Sequence, residues 1–215
     1  MITVAPIATD TSPDAMKALL ARQRASFLKE GPPDIDTRID RIDRVVALLV
    51  DNKDAIAAAL SDDFGSRSVE ASLLLDVFTC VGSLKYAKAH LAEWLKPEEH
   101  EALFPDAVAK VVYQPKGVVG ILSPWNFPYQ LALAPLAGIL AAGNRAMIKP
   151  SEVTPASSAL MAELVARAFD DSEIAVVQGG PATGTAFTSL AFDHLIFTGG
   201  TAIAHHVMRA AAENL

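Results

Sequence analysis

The chain has 215 residues, of which 51% are hydrophobic and 20% are charged, so it can form a sizeable core and is not globally disordered. Its net charge of −7 argues against a nucleic-acid backbone or an anionic membrane surface as the main partner. The single cysteine, Cys80, excludes an intrachain disulfide and argues against a cysteine metal site.

No targeting or membrane signal is visible in the sequence. The first ten residues, MITVAPIATD, lack the basic and apolar segments of a secretory signal. The apolar stretch over 131–143 is too short to span a bilayer and contains Pro135. We therefore expect a cytoplasmic protein with no membrane partner.

Residues 1–100 predict a helical segment. Ser12 and Pro13 are typical of a helix start, and a second helix is predicted by apolar residues at helical spacing, namely Ile35, Ile39, Ile42, Val46 and Leu49. The acidic residues between them could suggest a metal loop, but the apolar period places them on a solvated helix face. A long helix should cover residues 69–95, where Cys80 is better explained as a packed small residue than as a nucleophile.

The pattern changes near Pro97. Residues 101–116 predict a β-strand arm, in which QPKG (114–117) suits a type I turn. Residues 117–215 then alternate apolar strands with helices, and Thr154 is the expected cap of the helix that starts at Pro155. This alternation predicts an α/β fold with a Rossmann-like parallel sheet covered by helices on both faces. The predicted strands lie in GVVGILS, RAMIKP, IAVVQGG and DHLIFTGG, and the apolar run YQLALAPLAGILAAG (129–143) predicts a helix after the first of them.

Unusual residues follow the strands, at the edge where a parallel sheet binds its ligands. In SPWNFP, two prolines restrict the backbone around Asn126, between the aromatic side chains of Trp125 and Phe127, which would normally be buried. Its amide is either a structural bridge or a donor for a ligand that arrives later.

The segments FTGGT and KPSE also follow predicted strands, and each can be interpreted either as a ligand site or as ordinary structure. FTGGT opens a helix, so its glycines and free amides suit a pyrophosphate, although an ordinary left-handed turn would use the same residues. In KPSE, Lys149 and Glu152 are either a clamp for the ribose hydroxyls or a surface ion pair of little consequence. Neither GxGxxG nor GxxxxGK[ST] occurs in the chain.

WNFP, AAGN, KPSE and FTG, in this order and spacing, resemble the aldehyde dehydrogenase superfamily, most of all its coniferyl aldehyde dehydrogenase branch, which is akin to the class 3 enzymes. The likeness runs from RIDRVVALLVDNKDAIAAALSDDFG to the last residue. It implies the aldehyde dehydrogenase fold in truncated form, with an NAD- or NADP-binding domain over 117–215 that is incomplete and a strand arm used for dimerisation.

The resemblance also implies residue roles. Asn126 would be catalytic, donating its amide to the oxyanion formed when a thiolate attacks an aldehyde. The cofactor-binding residues would be Trp125, Lys149, Glu152, Gly199, Gly200 and Thr201. The chain departs from the family pattern at Gly200, where Ser or Asn is usual, and at Ala204, where glycine is usual; both changes bear on how tightly the cofactor binds.

The family's general-base glutamate and nucleophilic cysteine have no counterpart before Leu215. The resemblance therefore implies the N-terminal portion of an NAD(P)-dependent enzyme that oxidises a small-molecule aldehyde to the acid and forms a homodimer when full-length. A coniferyl-type aromatic aldehyde is the candidate substrate that the resemblance offers. The alternatives are a non-catalytic dinucleotide-binding or oligomerisation module and a structural remnant that binds nothing.

Overall fold

The structure is a computed structural model that describes residues 10–104 and 106–214. The expectation that the first ten residues form no secretory signal concerns a segment that lies, except for Asp10, outside the described residues. None of the described helices is both long enough and apolar enough to cross a membrane.

The first part of the described chain is helical, as predicted. Its helices are α1 (Pro13–Glu30), α2 (Ile35–Asp51), α3 (Lys53–Phe64), α4 (Val69–Ser72) and α5 (Thr79–Trp94), with a π-helical segment, Leu73–Phe78, joining the last two. Ser12 caps α1 by accepting a hydrogen bond from the Ala15 amide at 3.2 Å. The acidic run after Asp34 is helical, with Asp34 capping α2.

A four-stranded parallel sheet follows in the described part of the chain, which confirms the predicted α/β architecture. Its strands are β3 (Val118–Leu122), β4 (Arg145–Lys149), β5 (Ile174–Val176) and β6 (His194–Phe197), in the order β5-β4-β3-β6. Two shorter strands, β1 (Glu98–His100) and β2 (Ala109–Val111), precede it and pair with each other in antiparallel fashion.

Helices cover both faces of the sheet. Side chains alternate along each strand, so Val119 and Ile121 face the larger apolar cluster, which includes residues of α2, α3, α5 and two of the helices that follow in the chain. Val118 and Met147 face a smaller cluster formed with α1 and Phe187. The helices of this region are α6 (Pro128–Leu133), α7 (Leu136–Ala141), α8 (Pro155–Ala168), α9 (Pro181–Thr188) and α10 (Thr201–Ala212).

Two local predictions are wrong. The apolar helix expected over 129–143 is divided into α6 and α7 around Pro135, which lacks the amide that a continuous helix needs. QPKG does not close a hydrogen-bonded turn, because the amides of Lys116 and Gly117 donate to Asn144 Oδ1 at 2.7 and 3.0 Å. Gly117 has φ 139°, and a Cβ there would overlap the carboxylate of Asp193.

The amino edge of the sheet is occupied by a network of paired charges. Arg41 donates to Glu30 and to Glu173, each at 2.8 Å, and Arg145 also donates to Glu30. Arg44 donates to the other Glu173 oxygen at 3.0 Å. These ion pairs tie α1 and α2 to the strands, and they lie opposite the edge at which the sequence predicts a ligand.

The cap of α8 also differs from the prediction. The Thr154 hydroxyl donates to the Ser151 carbonyl and caps no amide of the helix. Instead, the two carboxylate oxygens of Asp63, at the end of α3, accept from the amides of Ala156 and Ser157 at 3.0 and 2.8 Å. A side chain of the helical segment therefore completes the first turn of a helix that covers the sheet.

Cys80 lies in the core, fully buried, with its Sγ 3.5 Å from the Tyr129 carbonyl oxygen. Burial, with a contribution from the Asp76 carboxylate, raises the pKa of the thiol to about 12. The thiol is therefore protonated at neutral pH, in agreement with its interpretation as a packed small residue.

We expect Asp63→Ala to lower the free energy of unfolding by about 1 kcal/mol, because two first-turn amides of α8 lose their acceptor. Urea denaturation measures this change. Asp62→Ala is the matched control, since Asp62 is an exposed carboxylate on the same helix. Equal stability of the two variants would contradict the capping role of Asp63.

We expect Cys80 to react with a thiol reagent at pH 8 only after the protein unfolds, because the folded thiol is buried and its pKa lies well above this pH. Release of the reagent's chromophore with and without denaturant measures the rate. Rapid labelling of the native protein would show that Cys80 is accessible and would contradict its structural role.

Candidate functional site

The carboxyl edge of the sheet brings the predicted site segments together. In the parallel register, Leu122 of β3 lies opposite Lys149 of β4 on one side and opposite Phe197 of β6 on the other. With neighbouring strands about 4.8 Å apart, the ends of β4 and β6 are separated by about 10 Å. The strand order reverses at β3, and ligands of open α/β sheets bind at such a reversal.

Lys149, the last residue of β4, is 1% exposed and points back into the loop that follows it. Its ammonium donates to the Pro150 carbonyl oxygen at 2.9 Å and to Glu152 Oε2 at 3.0 Å. An ammonium has three N–H donors, and these contacts use two of them. The burial of Lys149 argues against the surface ion pair that the sequence left open.

The carboxylate of Glu152 is about one-third exposed, so it can both pair with Lys149 and meet a ligand from solvent. Burial alone would raise its pKa, but hydrogen bonds from its own amide and from Lys149, with the charge of that ammonium, outweigh burial and hold the pKa below its ordinary value. The group is therefore ionised at neutral pH. A small hollow beside it is also lined by Ser151, Gln178 and Gly179.

Gly199, Gly200 and Thr201 are exposed where β6 leads into α10. The left-handed turn that the sequence left open does not occur, because neither glycine has a positive φ and Gly200 is extended at φ −71° and ψ 148°. Among the described residues, no side chain caps the start of α10. Its first amides are therefore available to an anion, and, apart from Gly200 and its two chain neighbours, no atom of the described residues lies within 4 Å of the position that a Cβ of Gly200 would take.

Asn126 is exposed on the loop between β3 and α6. Its side-chain amide makes no hydrogen bond to the residues described, so the structural bridge that the sequence left open has no support there. The expectation that its aromatic neighbours are buried is wrong for Trp125, which is 50% exposed and contacts the ring of Phe64 at a centroid distance of 6.2 Å. The amide is thus presented to solvent from a loop that is held by its neighbours.

Sequence reasoning missed two residues that hold this loop. Arg67 donates to the Asn126 carbonyl oxygen at 3.1 Å and to Asp76 at 2.7 Å, and Asp76 is fully buried. A lone acid in the apolar run LLLDVF was the available signal for Asp76, because a buried carboxylate requires partners. Nothing in the sequence around Arg67 points to the loop, which lies 59 residues further along the chain.

The edge therefore carries three kinds of recognition element. The start of α10 offers amides to an anion, Lys149 and Glu152 offer a donor and an acceptor to a diol, and Asn126 offers an amide from the intervening loop. These elements fit the phosphate and ribose groups of a dinucleotide. The thiol of Cys80 takes no part, because it is buried in the core.

Known proteins share both this sequence and this fold. Residues 3–215 match the aldehyde dehydrogenase family. A coniferyl aldehyde dehydrogenase from Pseudomonas sp. (strain HR199 / DSM 7063) is 54% identical over 94% of this chain and 42% of its own length. The chain thus spans less than half the length of the curated relatives that it resembles at this level.

Solved structures agree with the sequence comparison. The substrate-bound AldH of Staphylococcus aureus superposes with a TM-score of 0.88 at 30% identity, covering 93% of this chain and 44% of that one. Betaine aldehyde dehydrogenase of the same species, in complex with NAD⁺, gives a TM-score of 0.85 at 25% identity, covering 97% and 42%. With the family match over nearly all of its length, the chain belongs to the aldehyde dehydrogenase family.

Proposed function

We propose that this chain is the dinucleotide-binding portion of an NAD(P)-dependent enzyme that oxidises an aldehyde to the carboxylic acid. One observation carries the proposal: the Lys149–Glu152 pair and the uncapped start of α10 lie on the same sheet edge, on either side of β3. Membership of the aldehyde dehydrogenase family and the NAD⁺ complex of a structural relative support it.

The cofactor would bind across this edge. Glu152 would accept the hydroxyls of the adenosine ribose and Lys149 would donate to them, while the amides around Gly199, Gly200 and Thr201 would bind the pyrophosphate. Trp125, half-exposed on the neighbouring loop, would also contact the cofactor. A charged Glu152 favours NAD, because it repels a 2′-phosphate.

Two departures from the family pattern affect this site. Gly200 provides no side-chain hydroxyl or amide, so the phosphate would depend on main-chain amides at this position. Ala204 is half-buried one turn into α10, and its methyl group takes up space that the glycine usual in the family leaves open. Both changes favour weaker binding of the cofactor than in relatives that retain the usual residues.

When bound, the dinucleotide supplies the hydride acceptor of the reaction. The residue of this chain that would act on the substrate is Asn126, whose side-chain amide would donate to the oxyanion formed when a thiolate attacks the aldehyde. Loss of one such donor typically lowers kcat by about 10²–10³. Cys80 would not be this thiolate, because it is buried and its pKa is raised to about 12.

The remaining assignments follow from the same proposal. Residues 1–100 would form the helical segment, 101–116 the oligomerisation arm, and 117–215 the cofactor-binding domain. The arm would join a homodimer through β2. The name of the 54% identical relative suggests a coniferyl-type aromatic aldehyde as substrate. The cytoplasmic location stays a prediction from the sequence.

We expect Lys149→Met to weaken NAD binding about 10- to 100-fold, because the substitution removes a charged donor from the ribose and keeps a side chain of similar volume. Isothermal calorimetry measures the affinity, and circular dichroism verifies the fold. Lys110→Met, on the exposed β2, is the control with the same change in charge. If the Lys149 variant bound NAD with unchanged affinity, Lys149 would not belong to the ribose site. If the unmodified chain gave no heat of binding at millimolar NAD, the alternative of a structural remnant that binds nothing would be favoured.

We expect the 215-residue chain to produce no NADH from an aldehyde and NAD, because its only thiol is inaccessible. Absorbance at the NADH band measures turnover. A non-catalytic dinucleotide-binding module would also bind NAD without turnover. Addition of a polypeptide that supplies the nucleophile separates the two functions, because only the cofactor-binding portion of an aldehyde dehydrogenase would then form NADH. Robust NADH formation by the chain alone would contradict the assignment of the nucleophile to another region.

A further inference from the structure

Arg67 contacts the loop that carries Asn126 in two ways. Its side chain is 11% exposed, and Nη1 donates to the Asn126 carbonyl oxygen at 3.1 Å. Its guanidinium also lies over the ring of Phe127, 5.1 Å from the centroid, and over the ring of Phe64 at 4.9 Å. Because Phe64 contacts Trp125, all three residues of the loop over 125–127 rest on the Arg67–Phe64 pair.

Asp76 continues this attachment beyond the loop. Its Oδ2 accepts from Arg67 Nη2 at 2.7 Å, while its Oδ1 accepts from the amides of Tyr129 and Gln130 at 3.0 and 3.2 Å. These amides belong to the first turn of α6, so Asp76 caps the helix that follows the loop. One buried carboxylate therefore connects Arg67 to α6.

The two residues hold the chain on both sides of Asn126. Arg67 holds the backbone at 126 and 127, and Asp76 holds it at 129 and 130. The Asn126 side chain makes no hydrogen bond within the described residues, so its direction depends on the backbone that carries it. A displacement of about 1 Å at a reacting group can cost about 10²-fold in rate.

We propose that Arg67 and Asp76 are positioning residues for Asn126, a role that rests on the function proposed above. Asp76 is fully buried, and its charge has Arg67 as an ion-pair partner at 2.7 Å. Without Arg67, the buried carboxylate would lose this ion-pair partner, and its uncompensated charge would destabilise the arrangement that holds the α6 amides. Removal of Arg67 would therefore loosen the loop directly and through α6.

Tryptophan fluorescence tests the attachment in this chain itself. Trp125 lies next to Asn126, whereas Trp94 lies at the end of α5, and each can be observed alone in a Trp94→Phe or Trp125→Phe background. We expect Arg67→Ala to increase acrylamide quenching and lower the anisotropy of Trp125, and to leave both quantities unchanged for Trp94. No change at Trp125, or an equal change at both sites, would overturn the proposal.

Arg67→Lys provides a second variant in case Arg67→Ala does not fold. Lysine keeps a cation beside Asp76, but it lacks the fork with which arginine contacts Asp76 and Asn126 together. We expect the unfolding midpoint to stay near that of the unmodified chain while Trp125 becomes more mobile. A lysine variant with unchanged Trp125 signals would overturn the proposal.

Kinetics of the full-length enzyme test the role in catalysis through Asn126→Ala, Arg67→Lys and the double variant. We expect Arg67→Lys to lower kcat about tenfold or more with little change in KM for NAD, and to add no further loss in the Asn126→Ala background. Equal losses in both backgrounds would overturn the positioning role. Full kcat in Asn126→Ala would instead remove the donor role of Asn126 from the proposed function.

Discussion

The parallel register of β3 with its two neighbours is the constraint on which the candidate site depends. It places the ends of β4 and β6 at the same level, with the loop of Asn126 between them. Segments that are about 50 residues apart in the chain therefore share one edge, and no local interaction between them is needed to bring them there. Any change that shifted the register would separate the anion-binding amides of α10 from Lys149 and Glu152.

The two edges of the sheet differ in how their polar groups are satisfied. At the amino edge, Arg41, Arg44 and Arg145 pair with Glu30 and Glu173, so charges inside the protein neutralise one another. At the carboxyl edge, the amides that open α10 have no side-chain cap within the part of the chain that the structure describes, and Asn126 is exposed. The first arrangement stabilises the packing of helices on the sheet, whereas the second leaves hydrogen-bonding capacity for a ligand.

Much of the fold could be predicted because its signals are local. Apolar periodicity identified the helices and strands, and their alternation identified the parallel sheet. Two of the errors arose where a distant side chain replaced a local one: Asp63 caps α8 in place of Thr154, and Asn144 binds the amides expected to close a turn at Gly117. Arg67 was missed for the same reason, since its contact with residue 126 exists only in the folded chain.

The cap provided by Asp63 also has a consequence for the order of folding. This carboxylate is synthesised about ninety residues before the amides of Ala156 and Ser157 that it binds. During translation, α3 can therefore be in place when α8 leaves the ribosome, and it offers the new helix a ready acceptor at its first turn. The early helices would thus act as a template on which the later part of the nascent chain is completed.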